Sequence, residues 1–599
     1  MAEGYTLPQQ ATILISTARA QDLVFTALRL RQKLAEASGL DWDLSASPAI
    51  PAGQVGVALR LAPETGLPRE GYRLRVTPAG VEIQASDAAG IYYATCTLVQ
   101  IVQQSGRSLP GLDILDWPDF AVRGVMLDIS RDKVPTMDTL YNLVDRLSTW
   151  KFNQFQLYTE HAFAYRNHPV VWAKASPVTG EEILVLDAYC RERFIELVPN
   201  QNSFSHMDRW LSHPEYSGLG EISGSFESPY GTIPPFSLCP SDPGSLALID
   251  SLYDELLPHF TSHMVNAGCD ETFELGFGRS KAEVDARGEG PVYLEHLLKI
   301  YRTLQRRGYR MQFWGDVLIR HPDLVRELPR DIIALEWGYE ANHPFEEHGA
   351  EFAAAGVPFY VCPGTSSWNT IAGRTDNALG NLRSAAENGL RYGACGYLIT
   401  DWGDNGHWQV LPISYLGYAA GAAYSWAYEA NLDLDLRAAV SRFAFDDPSG
   451  AMGSLAYELG NVYKTVSYLP ENYSALFRIL QKPTEYIQKI AAEIPGEFFF
   501  GSEAAIDQAM SNLADSQMSG LEANLIEDEF RQTAALLRHA VRRGRWLLEP
   551  SGGEGERKAL NADLSEIIAN HSRLWLARNR PGGLEDSLSR FETAKADYA

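Results

Sequence analysis

From Ala121 to about residue 400 the chain repeats one unit, a short apolar run of strand type followed by an amphipathic stretch of helix length. The runs fall at 123–129, 154–158, 196–199, 264–268, 310–314, 332–336, 358–362 and 395–399. Apolar residues at helical spacing fill intervals such as 137–150, 181–194, 246–259, 293–308 and 378–389. Parallel strands need long crossover connections, and helices supply them. Eight such units predict an α/β fold closed into a (β/α)8 TIM barrel. The rival is an open doubly wound sheet, which binds ligand at one switch point. No G-x-G-x-x-G follows the first strand, which counts against a dinucleotide-binding sheet.

A chain of 599 residues is too long for one core, so other domains should flank the barrel. Residues 1–117 read as a small α/β domain with strands at 11–16 and 54–61 and helices at 20–37 and 88–104. Alternating runs at 72–77 and 81–85, around Pro78-Ala79-Gly80, predict a hairpin. The stretch 110–118 reads as the crossing into the barrel, placed at 118–430. Residues 431–599 read as a mostly helical domain, with helices at 473–494, 521–548 and 559–579 and a loop at 550–555. Its aromatics read as core, and its chemistry is unassigned.

A net charge of −25 excludes non-specific binding to nucleic acid or to an anionic membrane, and suits a soluble enzyme with a neutral substrate. The six cysteines form no C-x-x-C pair and read as buried thiols of a reducing compartment. No leader pattern and no apolar run of membrane length stands out, so a cytoplasmic location is expected. The chain is compatible with a homodimer.

Barrel enzymes carry their chemistry just past the C-terminal ends of the strands. The fourth run ends in Asp270-Glu271, two adjacent carboxylates suited to acid-assisted cleavage of a glycosidic bond. The second and third runs lead to Glu160-His161 and to His206. Later runs lead to Trp314, to Trp337 and Tyr339, to Trp368, and to Trp402 and Asp404. Tryptophans interleaved with carboxylates suit a sugar, whose C–H faces stack on rings while its hydroxyls pair with polar groups. His161, His206 and Asp208 lack the spacing of H-E-x-x-H and similar motifs, so no metal is expected, and no cofactor. No G-x-S-x-G elbow supports a serine hydrolase.

These residues resemble glycoside hydrolase family 20, the β-N-acetylhexosaminidases, in a divergent branch of bacterial type. Three motifs carry the resemblance: Arg123 with Leu127-Asp128-Ile129-Ser130-Arg131, Pro199 through His206, and Gly268-Cys269-Asp270-Glu271. The resemblance implies an exo-acting, retaining enzyme with a substrate-assisted mechanism, in which the 2-acetamido oxygen attacks its own C1 and forms an oxazoline. It implies that Asp270 orients the acetamido N–H, that Glu271 is the acid and then the base, and that Arg123 holds the 3- and 4-hydroxyls. His206, with Glu160 or His161, would support Glu271. Asn266, Cys269 and the Asp401-Trp402-Gly403-Asp404 run depart from the commoner family pattern, and no Tyr-x-Asp follows the seventh strand. Tyr339 is then the candidate acetamide clamp, and Asp404 the contact to the 4- and 6-hydroxyls. The implied partner is the terminal N-acetylhexosamine of an oligosaccharide or glycoconjugate. Two alternatives stay open: an O-GlcNAc-type hydrolase, which usually pairs two aspartates, and a catalytically retired glycan-binding barrel.

Overall fold

The computed structural model describes residues 3–599 apart from 230, 494–498, 500 and 549–552. Eight parallel strands close into a barrel. They are β1 (Val122–Asp128), β2 (Gln154–Thr159), β3 (Glu196–Gln201), β4 (Met264–Asn266), β5 (Arg310–Trp314), β6 (Ile333–Trp337), β7 (Phe359–Cys362) and β8 (Gly396–Asp401). Pairing of β8 with β1, from Gly396 opposite Val122 to Asp401 opposite Leu127, seals the ring. The strand–helix alternation thus yields the expected TIM barrel.

Side chains alternate across each strand. On β1, Val125 and Leu127 pack outward into the helix layer, while Met126 belongs to a separate interior cluster. Tyr158, Trp314, Leu335, Tyr360 and Leu398 share that interior. Beneath the mouth lies a layer of amides. Gln156 donates to Gln312 at 2.9 Å and accepts from Asn200 and Asn266 at 3.0 Å each. Polar groups this deep are tolerable because they satisfy one another.

The preceding domain is a six-stranded mixed sheet with two helices, Val24–Ser38 and Ala88–Ser105, in its core. The hairpin Tyr72–Thr77 and Gly80–Ala85 forms as expected. The stretch read as a crossing instead contains the strand Leu112–Asp116, which adds to the sheet edge beside Tyr72–Val76. Its sequence, Leu-Asp-Ile-Leu-Asp, is short, breaks the apolar–polar alternation at the exposed Leu115 and is half-exposed, so it gave little strand signal.

The C-terminal part is helical, as expected, and shares one continuous apolar core with the barrel's helix layer. The helix expected at 473–494 is two helices, Ala475–Gln481 and Thr484–Glu493, because Pro483 ends the first. The long helices are Ala523–Leu548 and Gly553–Arg578. Of the loop expected at 550–555, positions 550–552 lie outside the described residues, and Gly553–Gly555 open the second helix. Among the described residues no helix is long and apolar enough to cross a membrane. All six cysteines are free, and only Cys395 is not fully buried.

Candidate active site

Strand β4 ends at Asn266, two residues earlier than its apolar run predicts. The backbone then takes left-handed conformations at Gly268 (φ 69°), Cys269 (φ 73°) and Glu271 (φ 50°). Such angles cost about 1–3 kcal/mol each for non-glycine residues and persist only when the surroundings hold them. Here they are held: Tyr293 donates its hydroxyl to the Cys269 carbonyl at 2.7 Å, and the Cys269 N–H reaches Asn202 Oδ1 at 3.1 Å. Ser205 donates to the Asp270 carbonyl. Gly268 is required twice over, because a Cβ there would also lie 2.4 Å from the Asn202 amide. In a regular strand, adjacent side chains would face opposite ways. The left-handed turn instead brings both carboxylates to one imidazole nitrogen, with His206 Nε2 3.2 Å from Asp270 Oδ2 and 3.5 Å from Glu271 Oε2.

The two carboxyls then diverge in proton affinity. Burial alone would raise Asp270, but His206 and a 2.9 Å hydrogen bond from Asn202 outweigh it and hold the group below the ordinary carboxylate range. Burial pushes Glu271 up to about 7, against the pull of His206 and with the help of the Asp270 charge. For His206, burial is overcome by Asp270, which raises the imidazole to about 9. Asp316, just past β5, accepts the Glu271 N–H at 3.1 Å. Burial and the two neighbouring carboxylates raise it as well. The site therefore sets side by side a carboxyl that stays ionised and one that can still carry a proton near neutral pH.

Arg131 forms the opposite wall. Its guanidinium reaches Asp128 at 3.3 Å, Glu160 at 3.2 Å, His206 Nδ1 at 3.0 Å and Asp404 at 3.8 Å. It also lies over the rings of Tyr158 (4.8 Å) and Trp402 (5.1 Å). Asp128 anchors it by accepting the N–H groups of Ser130, Arg131 and Gly403. Glu160 hydrogen-bonds Tyr158 and is pushed by burial to about 7. The aromatic residues close the cage. Trp402 Nε1 donates to the Tyr339 hydroxyl at 2.8 Å, and Trp402 packs on Tyr158 and Trp314. Tyr339 stacks on Trp337 and meets Trp368 edge-on.

The structure thus brings together Asp270, Glu271, Glu160, His206, Trp314, Trp337, Tyr339, Trp368, Trp402 and Asp404. It does not bring Arg123 to this site. Arg123 sits at the N-terminal end of β1, on the outward parity with Val125 and Leu127, buried in a 2.6 Å ion pair with Glu70 of the preceding domain. Its guanidinium also faces Trp426 and Tyr93. The arginine of the pocket is Arg131. His161 is buried and held neutral, with its pKa pulled by burial to about 3. It has none of the contacts that join Glu160 to Arg131 and His206. Asn202, Asp316, Tyr158 and Arg131 were not singled out as site residues, although Arg131 lies inside a motif quoted above and Asp316 directly follows the β5 rim.

Among the described residues two clusters have the compactness of metal ligands, His206–Asp270–Glu271 and Glu336–His343–His348. The first is the acid pair itself. In the second, both histidines hydrogen-bond Glu336 Oε1 at 2.7 Å, which satisfies that buried carboxylate without an ion.

A closed parallel barrel with an acid pair on its C-terminal rim has the layout of a barrel glycosidase. Residues 2–117 match the profile "Glycosyl hydrolase family 20, domain 2" and residues 120–378 match "Glycosyl hydrolase family 20, catalytic domain". A β-hexosaminidase of Vibrio furnissii is 26% identical over 323 residues, 48% of this chain and 51% of that protein. One from Akkermansia muciniphila is 26% identical over 286 residues, 43% of this chain and 58% of that protein. The chain thus spans about half the length of the curated relatives it matches. Among solved structures, a Flavobacterium johnsoniae chitobiase superposes over 100% of this chain and 97% of its own, with a TM-score of 0.60 at 16% identity. The protein belongs to glycoside hydrolase family 20.

Proposed function

We propose that the protein is an exo-acting β-N-acetylhexosaminidase that releases terminal β-linked GlcNAc or GalNAc with retention. The observation that carries this reading is the sharing of His206 by two carboxyls whose proton affinities are driven apart, Asp270 held below the ordinary carboxylate range and Glu271 raised above it. The sugar ring stacks in the cage of Trp314, Trp337, Trp368 and Trp402. Arg131 and Asp404 hold its hydroxyls at the end remote from C1. Glu271 protonates the leaving glycosidic oxygen. The substrate's acetamido oxygen closes on C1 as that bond breaks, giving an oxazoline. Asp270 accepts the acetamido N–H and balances the positive charge that develops there. Tyr339 donates to the acetamido oxygen and fixes its approach. Water, activated by the now ionised Glu271, opens the ring and returns the configuration. His206 and Asn202 keep Asp270 ionised in its working rotamer.

The test is mass spectrometry of the intact protein with a slow fluorinated aryl glycoside, together with inhibition by the thiazoline of N-acetylglucosamine. Strong thiazoline inhibition, weakened by Asp270→Asn, is expected. A sugar trapped covalently on Asp270 would mean that the protein supplies the nucleophile and would overturn the substrate-assisted mechanism. Aryl β-GlcNAc and β-GalNAc that bind without any nitrophenol release would favour a retired glycan-binding barrel.

A further inference from the structure

Strand β6 ends in a cluster that the sugar chemistry does not use. Leu335 and Trp337 belong to the barrel interior, so Glu336 between them points outward, toward the helix layer. There its side chain is only 2% exposed. His343, from the following loop, and His348, from the start of helix Phe345–Ala355, both reach it. Nε2 of His343 and Nδ1 of His348 each lie 2.7 Å from the same oxygen, Oε1. Two backbone bonds set the spacing of the histidines, Phe345 N–H to the His343 carbonyl at 2.8 Å and His348 N–H to the Pro344 carbonyl at 3.1 Å. Phe345 meets the His343 ring edge-on at 4.5 Å. A Cβ on Gly338 would lie 2.0 Å from His343 Nδ1, so this approach of the ring needs a glycine there.

The charge of Glu336 is met by histidine alone. Glu70 and Glu529, buried elsewhere, pair with Arg123 and Arg578. Among the described residues no lysine or arginine pairs with Glu336, His343 or His348, and the Glu336 side chain has no hydrogen-bond partner besides the two histidines. Two imidazoles and one carboxylate converging on a point are the donor set of His2Glu zinc sites. Ring nitrogens select a transition-metal ion over calcium or magnesium, which take oxygen. Zinc lies about 2.0–2.2 Å from such atoms and sets them about 3.3 Å apart, so each imidazole need withdraw from Oε1 by only roughly 0.6 Å. Each ring then turns a lone pair to the ion, its proton shifting to the other ring nitrogen. His343 and His348 keep 18% and 24% of their side-chain surface exposed, which opens the cluster to an ion and to a water as fourth ligand. Glu347 and Glu351, beside His348 on its helix, make the approach negative. The acid pair at His206 lacks these conditions, because the Arg131 guanidinium lies 3.0 Å from the His206 ring and repels a cation.

We propose that Glu336, His343 and His348 bind a divalent transition-metal ion, zinc by its donor set, that fastens the loop after β6 to the strand from outside the sugar pocket. That loop, residues 338–344, carries Tyr339, whose hydroxyl meets Trp402, and Glu340, which pairs with Arg374. The ion joins the strand, the far end of the loop and the helix beyond it at one point. Its role is structural, on the opposite face of β6 from Trp337. The site does not depend on which glycoside the protein cleaves.

The experiment is a calorimetric zinc titration of the full-length protein after a chelator has been applied and washed out. One zinc per chain is expected, with micromolar or tighter affinity, and neither calcium nor magnesium should compete. Cobalt in place of zinc should give the visible absorption of a four-coordinate site. His343→Gln and the more exposed His348→Gln keep an N–H for Oε1 but offer no ring nitrogen. Each should lower zinc affinity by more than the roughly 10–100-fold lost with a supporting partner of a metal ligand. The melting temperature without zinc should differ little between His348→Gln and the wild type, and zinc should raise it only in the wild type. Hydrogen exchange over residues 338–348 should slow when zinc binds. No zinc bound by the wild-type protein overturns the site. Zinc bound with unchanged affinity in either variant also overturns it, because the ion then lies elsewhere. Zinc binding that leaves exchange over 338–348 unchanged overturns the fastening of the loop.

Discussion

Glu271 and Asp270 are chemically near-equivalent, and their roles separate only through what surrounds each. Glu271→Gln keeps the shape and removes the proton. General acid catalysis contributes about 10²–10⁴-fold, so kcat/KM should fall by that factor for alkyl or sugar leaving groups and by much less for activated aryl ones. Equal losses across leaving groups, read from a series of aryl glycosides, would remove Glu271 from the acid role. The pH profile follows from the same shifts. Glu271 must carry its proton, so activity should fall as pH rises through about 7. Asp270 must be ionised, and its depressed affinity keeps the acidic limb below the ordinary aspartate range. The two groups interact, so the measured values belong to the pair. Full activity at strongly alkaline pH would contradict this assignment. Much of the site was legible at this scale: the acid pair, His206, Glu160 and the tryptophans all stand at predicted strand ends. The arginine was misplaced for a reason available in the sequence. With Met126 and Asp128 facing the interior, strand alternation turns Arg123 outward, and only Arg131 lies beyond the strand, where the backbone can carry it over the mouth.

At the scale of elements, Arg123 becomes a rivet between the barrel base and the preceding sheet. It pairs with Glu70, and its guanidinium also donates to the carbonyls of Phe120 and Lys151. Removing one partner of such a buried pair strands the other, at a cost of about 3–5 kcal/mol. Arg123→Ala should therefore lower stability in a denaturant titration by that amount, with little change in kcat/KM of the folded enzyme. A hundredfold loss of kcat/KM at unchanged stability would return Arg123 to the pocket. The β4 turn makes the opposite prediction. Gly268→Ala places a methyl group against Asn202 in a left-handed conformation. It should lower kcat/KM by more than tenfold through displacement of both carboxylates, a catalytic effect of small misplacement. Wild-type turnover in Gly268→Ala would show that the turn tolerates a side chain. No sequence pattern announces where β4 stops, because its apolar run continues through Ala267. The end is set by side chains from other segments, Asn202 and Tyr293, which only the folded barrel brings near. The same holds for Leu112–Asp116, whose strand exists because Tyr72–Val76 offers an edge.

For the whole molecule, the question is whether the helical domain only props the barrel or also shapes its mouth. The sequence showed helices there and nothing of their purpose, since the residues that reach the site are scattered and ordinary in type. Asn472 accepts from Trp368 Nε1 at 3.0 Å and donates its backbone N–H to Glu340 at 2.7 Å. Glu340 in turn pairs with Arg374 at 2.6 Å. Trp408, on the loop after β8, stacks on Phe591 with ring centres 4.1 Å apart and planes 10° from parallel. Its Nε1 donates to the Ser587 carbonyl, and the Ser587 hydroxyl donates to the Gly406 carbonyl. Gly406 lies two residues from Asp404, so the helical domain grips the loop that carries a predicted sugar contact. Phe591→Ala removes a buried ring whose loss costs about 3–5 kcal/mol. If the domain shapes the mouth, the variant should also lose kcat/KM, chiefly through KM, when assayed well below its melting temperature. The loss should be larger for sugars with a free 6-hydroxyl than for 6-deoxy analogues, which make no contact there to lose. A variant with a lower melting temperature but wild-type KM for both sugars would reduce the helical domain to a scaffold.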